Sequence, residues 1–176
     1  MLIDHLLTLP APTATDMALH QAIANQRHAD QRDRWLVFHV IAEGCGCSQR
    51  VLDHLLADRR PADVVERIVF VTEQPSGAAS TIAAIRTRGF DLDVVTPDEL
   101  GARYQIEAAP LLVIIDPGDT VRYVGGYTPR KQAADVRDVA VIEATRRGAV
   151  VKPLPAFGCA VGRALRSKLD PFRIRN

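Results

Sequence analysis

Cys45 and Cys47 stand one residue apart in AEGCGCSQRVLDHL, the stretch from Ala42 to Leu55, and a third cysteine, Cys159, follows far downstream. A thiolate is both the nucleophile of disulfide exchange and a soft-metal ligand, so the spacing raises both chemistries. The flanking residues say where the thiols must sit. Trp35 to Ala42, WLVFHVIA, is a continuous apolar run of strand length, the pattern of a strand buried on both faces. SQRVLDHLLADR then brings Val51, Leu52, Leu55 and Leu56 to helical spacing, with Pro61 just beyond. The cysteine turn therefore lies where a buried strand hands over to a helix. A helix N-terminus carries partial positive charge and free backbone N–H groups, which stabilise a thiolate and lower its pKa. Cys45, ahead of the regular helix, is expected to be the exposed nucleophile, with Gly46 letting the backbone turn tightly and leaving the sulfur uncovered.

A nucleophilic thiol needs a partner to release the mixed disulfide. Cys47 can in principle pair with Cys45, although the ring so closed is small and strained and hence easily reduced. Cys159 can resolve the bond if the C-terminal segment folds back over the turn. An external thiol such as glutathione is the third option. The same three cysteines, Cys45, Cys47 and Cys159, form the alternative metal set, suited to Cu(I), or to Zn(II) with one more ligand. The histidines add little to it. His39 lies on the buried strand and reads as a hydrogen-bonded core residue. His54 stands two helical turns past Cys47, about 10 Å away at about 1.5 Å per residue. His5, His20 and His28 read as surface residues. A buried, inert Cys159 and an accident of packing at the turn are the blander readings.

The whole chain sets the limits. With 176 residues it has room for one domain with a real core. Lys plus Arg number 22 and Asp plus Glu 21, so no global charge points to nucleic acid or an acidic membrane surface. Three cysteines do not make a disulfide scaffold. The opening MLIDHLLTLPAPTATD has no basic region followed by an apolar run, and no stretch reads as a membrane span, so the expected setting is the cytoplasm. Walker, dinucleotide, His-Glu-x-x-His and Gly-x-Ser-x-Gly motifs are lacking, and no cofactor is expected.

The elements around the turn alternate. TATDMALHQAIANQRHAD reads as a helix capped by Thr15, with Leu19, Ala22 and Ile23 on one face, and the charged run RHADQRDR as its solvated end. VVERIVFVTE is a second strand, SGAASTIAAIRTRGF a helix stopped by Gly89, DLDVVT a third strand and PDELGARYQ a short helix opened by its proline. APLLVIID, the turn PGD and TVRYVGGY make a strand and its antiparallel return. PRKQAADVRDVAVIEATRRG reads as one long helix with Val136, Val139, Ala140 and Ile142 to Glu143 about its buried stripe. A proline-rich extended piece and a short basic helix follow. Its Arg163, Arg166, Lys168, Arg173 and Arg175 are a solvated face or a patch for an acidic partner. Alternation of this kind gives an α/β domain with a mixed sheet.

This order of strand, cysteine turn, helix, strand, helix, then Ala-Pro, strand, turn, strand and helix resembles the thioredoxin-like superfamily, from Trp35 to Arg147. ARYQIEAAPLLVIIDPGDTVRYVGGY carries the likeness most strongly. CGCS with the late FGC, Phe157 to Cys159, is similar to the RedB-type branch, whose members are often exported or membrane-anchored. The resemblance implies a mixed central sheet flanked by helices and a thiol-disulfide oxidoreductase acting on protein or low-molecular-weight thiols and disulfides, with no nucleic acid partner. It implies that Pro110 is a cis-proline beside the redox site, that Ala109 and Pro110 shape the partner's groove, and that Ser48 replaces the second thiol of a Cys-x-x-Cys turn. The expected organisation is an N-terminal helical extension (1–33), a thioredoxin-like domain (34–148) and a C-terminal segment (149–176) carrying Cys159. A degenerate interaction scaffold is the remaining reading.

Overall fold

The apolar run from Trp35 becomes the middle of a sheet. The computed structural model describes residues 8–131 and 134–169, so His5, Arg173 and Arg175 lie outside the described residues. In chain order the elements are α1 (Met17–Ala24), β1 (Trp35–Ala42), α2 (Gly46–Ala57), β2 (Val64–Val71), α3 (Ala79–Thr87), β3 (Asp91–Val95) and α4 (Pro97–Tyr104). Then come β4 (Ala108–Ala109), β5 (Leu111–Ile115), β6 (Val121–Gly125), α5 (Asp138–Arg146), β7 (Cys159–Ala160) and α6 (Arg163–Leu169). The five-stranded sheet runs β3-β2-β1-β5-β6. β1, β2 and β3 are parallel, and β5 and β6 antiparallel to their neighbours. A separate two-stranded ladder joins β4 to β7, with Ala109 opposite Cys159. No helix among the described residues is long and apolar enough to cross a membrane.

Strand side chains alternate between faces, and β1 uses both for burial. Leu36, Phe38, Val40 and Ala42 face one layer, where Leu19 and Ile23 of α1 and Leu100 and Tyr104 of α4 pack with Cys45, Ala156 and Val161. Val37 and Ile41 face the other, against Val51, Leu52 and Leu55 of α2, Ile85 of α3 and Val141 and Ile142 of α5. Local signals set the ends. Thr96 and Glu99 form a reciprocal capping box with Pro97 in the first turn of α4, and Gly89 at φ 89° follows α3.

Four expectations change. Asp16, not Thr15, caps α1, accepting from the N–H groups of Ala18 and Leu19 at 2.9 and 3.3 Å. The charged run after α1 is exposed as expected except at Gln31, which is buried, and at Arg27, whose side chain turns inward. Arg27 reaches back to the Asp116 carbonyl at 2.6 Å, the Gln31 carbonyl at 2.7 Å and Asp119 at 2.5 Å. Arg67 of β2 takes the Gln31 side chain and the Gln26 carbonyl. His20 is half-buried, bonded to the Ala14 carbonyl at 2.5 Å. The last long helix begins only at Asp138, and its buried residues are Asp138, Val141, Ile142 and Thr145; Val136 and Val139 are half-buried and Ala140 and Glu143 exposed.

That late start has a tertiary cause. Asp138 sits in the first turn of α5, where a carboxylate is favoured, and points into a polar layer beneath β1 and β2. Its carboxylate meets Arg60 at 2.7 Å and His54 at 2.9 Å. Arg60 also binds Glu66, and Glu66 meets His39 at 3.0 Å, whose other ring nitrogen faces the Tyr127 hydroxyl at 3.0 Å. Burial alone would raise the Glu66 carboxyl, but bonds and charge from His39 and Arg60 hold it down to about 2.

Two outcomes are expected from this layer. Arg60→Leu leaves Glu66 and Asp138 as buried charges without their cation and should lower the unfolding free energy by about 3–5 kcal/mol, read from urea midpoints. The folded pKa of Glu66 lies below its unfolded value of about 4.3, so its stabilisation is complete above that pH and is lost as the pH falls toward 2. The wild-type midpoint should fall over that window, and Glu66→Gln should shallow the fall; an unchanged slope would remove Glu66 from the acid response.

Candidate active site

β1 ends at Ala42, and Gly44, at φ 71°, makes the turn that brings Cys45 to the N-cap of α2. The tight turn thus needs Gly44 rather than Gly46, which lies inside α2 with open space where a Cβ would stand. Ser48 is wholly buried, and its hydroxyl oxygen accepts from the Ala42 N–H at 3.1 Å, tying the first helical turn to the strand end. It offers no surface to a partner. Cys45 is also covered. It is 3% exposed, with its sulfur 3.9 Å from the Ala109 carbonyl oxygen, so the expectation of an exposed Cys45 is corrected. Cys47 is half-buried and Cys159 exposed, and all three thiols are free.

The cover comes from the far end of the chain. The Ala109–Pro110 bond is cis, and both residues are buried. The C-terminal segment crosses this loop. Gly126 donates to the Leu154 carbonyl at 2.8 Å, and Leu9 donates to the Ala156 carbonyl at 2.8 Å. Cys159 then pairs with Ala109, and Val161 and Gly162 both donate to the Glu107 carbonyl at 2.7 and 3.0 Å. Gly158 lies so close that a Cβ there would stand 1.9 Å from the Ala109 carbonyl oxygen and 2.6 Å from the Pro110 ring. The expected partner contacts, Ala109 and Pro110, are therefore covered by the protein's own strand. Pro110 still lines a cavity of about 30 Å³ with Cys47, Arg50, Val51, Tyr127 and Phe157.

The pairing sets Cys159 opposite Ala109, whose carbonyl oxygen lies 3.9 Å from the Cys45 sulfur, so the two thiols are neighbours. The Cys159 thiol, then the Cys47 thiol, donate to the Cys45 sulfur; burial opposes the charge, and the Ser48 N–H and hydroxyl add to the donors. The balance lowers the Cys45 pKa below the ordinary thiol value, which favours its thiolate. Cys47 and Cys159 shift the other way, first because each gives its proton to that bond, then by burial and by repulsion from the anion. Arg50 Nη2 lies 3.4 Å from the Cys47 sulfur, and Arg166, bonded to the Ala160 carbonyl at 3.1 Å, has its charge near Cys159.

As a metal centre the three thiols do not close up. Among the described residues, the ligand atoms found within 4.8 Å of one another belong to His39, Glu66 and Asp138. Arg60 already supplies the cation between Glu66 and Asp138 there. Sequence reading missed Arg50, which its spacing three residues past Cys47 on one helix face could have signalled, whereas the seat of Gly158 on Ala109 had no local signal.

The strand order, the helix-borne thiol and the Ala-Pro loop before β5 make up a thioredoxin-like fold. No family model and no curated protein matches the chain. An uncharacterized conserved protein from Geobacillus kaustophilus matches in structure with a TM-score of 0.55 at 18% identity, over 74% of this chain and 77% of that one. A hypothetical protein from Sinorhizobium meliloti 1021 gives 0.57 at 16% identity, over 76% and 82%. The thioredoxin domain of a thiol-disulfide oxidoreductase from Bacteroides vulgatus gives 0.45 at 13% identity, over 81% and 96%.

A side chain at Gly158 cannot enter the space held by the Ala109 carbonyl, so Gly158→Val should lift β7 from β4 and uncover Cys45. Iodoacetamide labelling of Cys45 at pH 7 should rise about tenfold, the factor set by about 1.4 kcal/mol against the paired state. An unchanged rate would mean that β7 is not what covers the thiolate.

Proposed function

We propose that the protein is a thiol-disulfide oxidoreductase whose working pair is Cys45 and Cys159. The observation that supports it most is the pairing of Cys159 with Ala109, which brings a second thiol to a buried thiolate at a helix N-terminus. Two neighbouring thiols can exchange two electrons with a partner by closing and opening one disulfide. Partners are protein or low-molecular-weight thiols and disulfides. Cys47 serves as a donor to the Cys45 anion, steadied by Arg50. Ala109 and Pro110 form the seat on which Cys159 is presented, and Ser48 fixes the helix start beneath it.

The full chain should close a single disulfide between Cys45 and Cys159 when poised in glutathione buffers of rising oxidation, as read by peptide mapping. Cys45→Ser and Cys159→Ser should each abolish that bond, while Cys47→Ala should keep it. A Cys45–Cys47 bond, or no bond at any poise, would sink the assignment.

A further inference from the structure

Three cysteines surround this site, and they differ in which of them a large partner can touch. Cys45, the stabilised thiolate, is enclosed by the Ala109 carbonyl, by the helix turn and by β7. Cys159 is exposed. The strand that carries it is held on both sides. Before it, Gly158 lies against the Ala109–Pro110 peptide; after it, the Val161 and Gly162 N–H groups bond to the Glu107 carbonyl. Val161 is 2% exposed and Leu165 of α6 4% exposed, so the segment is anchored in the core downstream as well. Opening a path to Cys45 would break the ladder, both Glu107 bonds and the burial of Val161. Leaving β7 in place already keeps one cysteine residue, Cys159, at the surface.

We propose that partners meet this protein at Cys159, on the C-terminal strand, and that Cys45 acts behind it as the internal leaving group and resolving thiolate. The proposal rests on the reading of Cys45 and Cys159 as the working pair. Starting from the Cys45–Cys159 disulfide, a partner thiolate attacks the Cys159 sulfur. A new bond forms between the partner sulfur and Cys159, the Cys45–Cys159 bond breaks, and its electron pair leaves on Cys45. A second thiolate of the same partner then attacks the partner sulfur of this mixed disulfide. The partner's own disulfide forms and Cys159 leaves. The partner dithiol has been oxidised and the protein pair reduced. Of the two partner protons, one ends on Cys159 and the other goes to solvent, since Cys45 stays ionised. The reverse sequence reduces a partner disulfide through the same intermediate.

Leaving-group chemistry points the same way as access. Exchange is faster when the departing thiol is the more acidic one, and attack also depends on which sulfur can be reached. Attack at Cys159 expels the thiolate held by the helix N-terminus and the Ser48 donors. Attack at Cys45 would require entry to the covered sulfur and would expel the thiol that lacks those donors. Arg166, whose charge acts on Cys159, is fixed on the Ala160 carbonyl, where it can steady an approaching partner thiolate.

The test needs no substitution. The full chain is oxidised to its Cys45–Cys159 disulfide, reacted briefly with a ten-residue peptide carrying one cysteine, quenched with iodoacetamide and mapped. The expected product carries the peptide on Cys159 and the alkyl group on Cys45, in at least about tenfold excess over the opposite isomer, the ratio given by about 1.4 kcal/mol. The peptide on Cys45 or Cys47, or an even split, overturns the proposal while leaving the working pair intact. Failure to form the starting disulfide instead overturns the pair itself, and this proposal with it.

Discussion

Two residues of strand pairing, Ala108–Ala109 with Cys159–Ala160, govern the chemistry of the site. A thiolate at a helix N-terminus is stabilised by the free N–H groups there, yet a buried one must also recover what water supplied. Here the donors come from three places in the chain: Ser48 on the same helix, Cys47 in its first turn, and Cys159 from the C-terminal strand. The last is the largest contribution and exists only while β7 lies on β4. Gly158 makes that approach possible by having no side chain, and the bonds of Val161 and Gly162 to Glu107 fix the register.

The sheet gives this arrangement a stiff floor. β1 is buried on both faces, so the turn at its end starts from a strand with little freedom. The two faces are filled differently. One is apolar and includes Cys45 itself, while the other carries the layer of His39, Glu66, Arg60, Asp138 and His54. Opposite charges balance there in contact, and removing one partner is far more damaging than the pair is stabilising. Tyr127 belongs to both regions, since its hydroxyl faces His39 and its ring lines the small cavity beside Cys47 and Pro110. The packing of the polar layer and the wall of the site are therefore one structure.

Periodicity and local chemistry by themselves determined much of this protein. The apolar run at Trp35, the helical spacing of Val51, Leu52 and Leu55, the proline-opened α4 and the Ala-Pro strand with its hairpin are local patterns, and each became the element it suggested. The cysteine turn at a strand-to-helix junction was legible for the same reason. Tertiary structure decided what depends on residues far apart. Arg27 looked like part of a solvated run because its acceptors lie near Asp116, and α5 started late because Asp138 is claimed by Arg60 and His54. Cys45 looked exposed because nothing near it in sequence could cover it. Its cover and the thiol that most lowers its pKa arrive on Gly158 and Cys159. Contacts across so long a loop leave no periodic trace in the chain; only the folded backbone brings the late Phe-Gly-Cys onto the loop at Pro110.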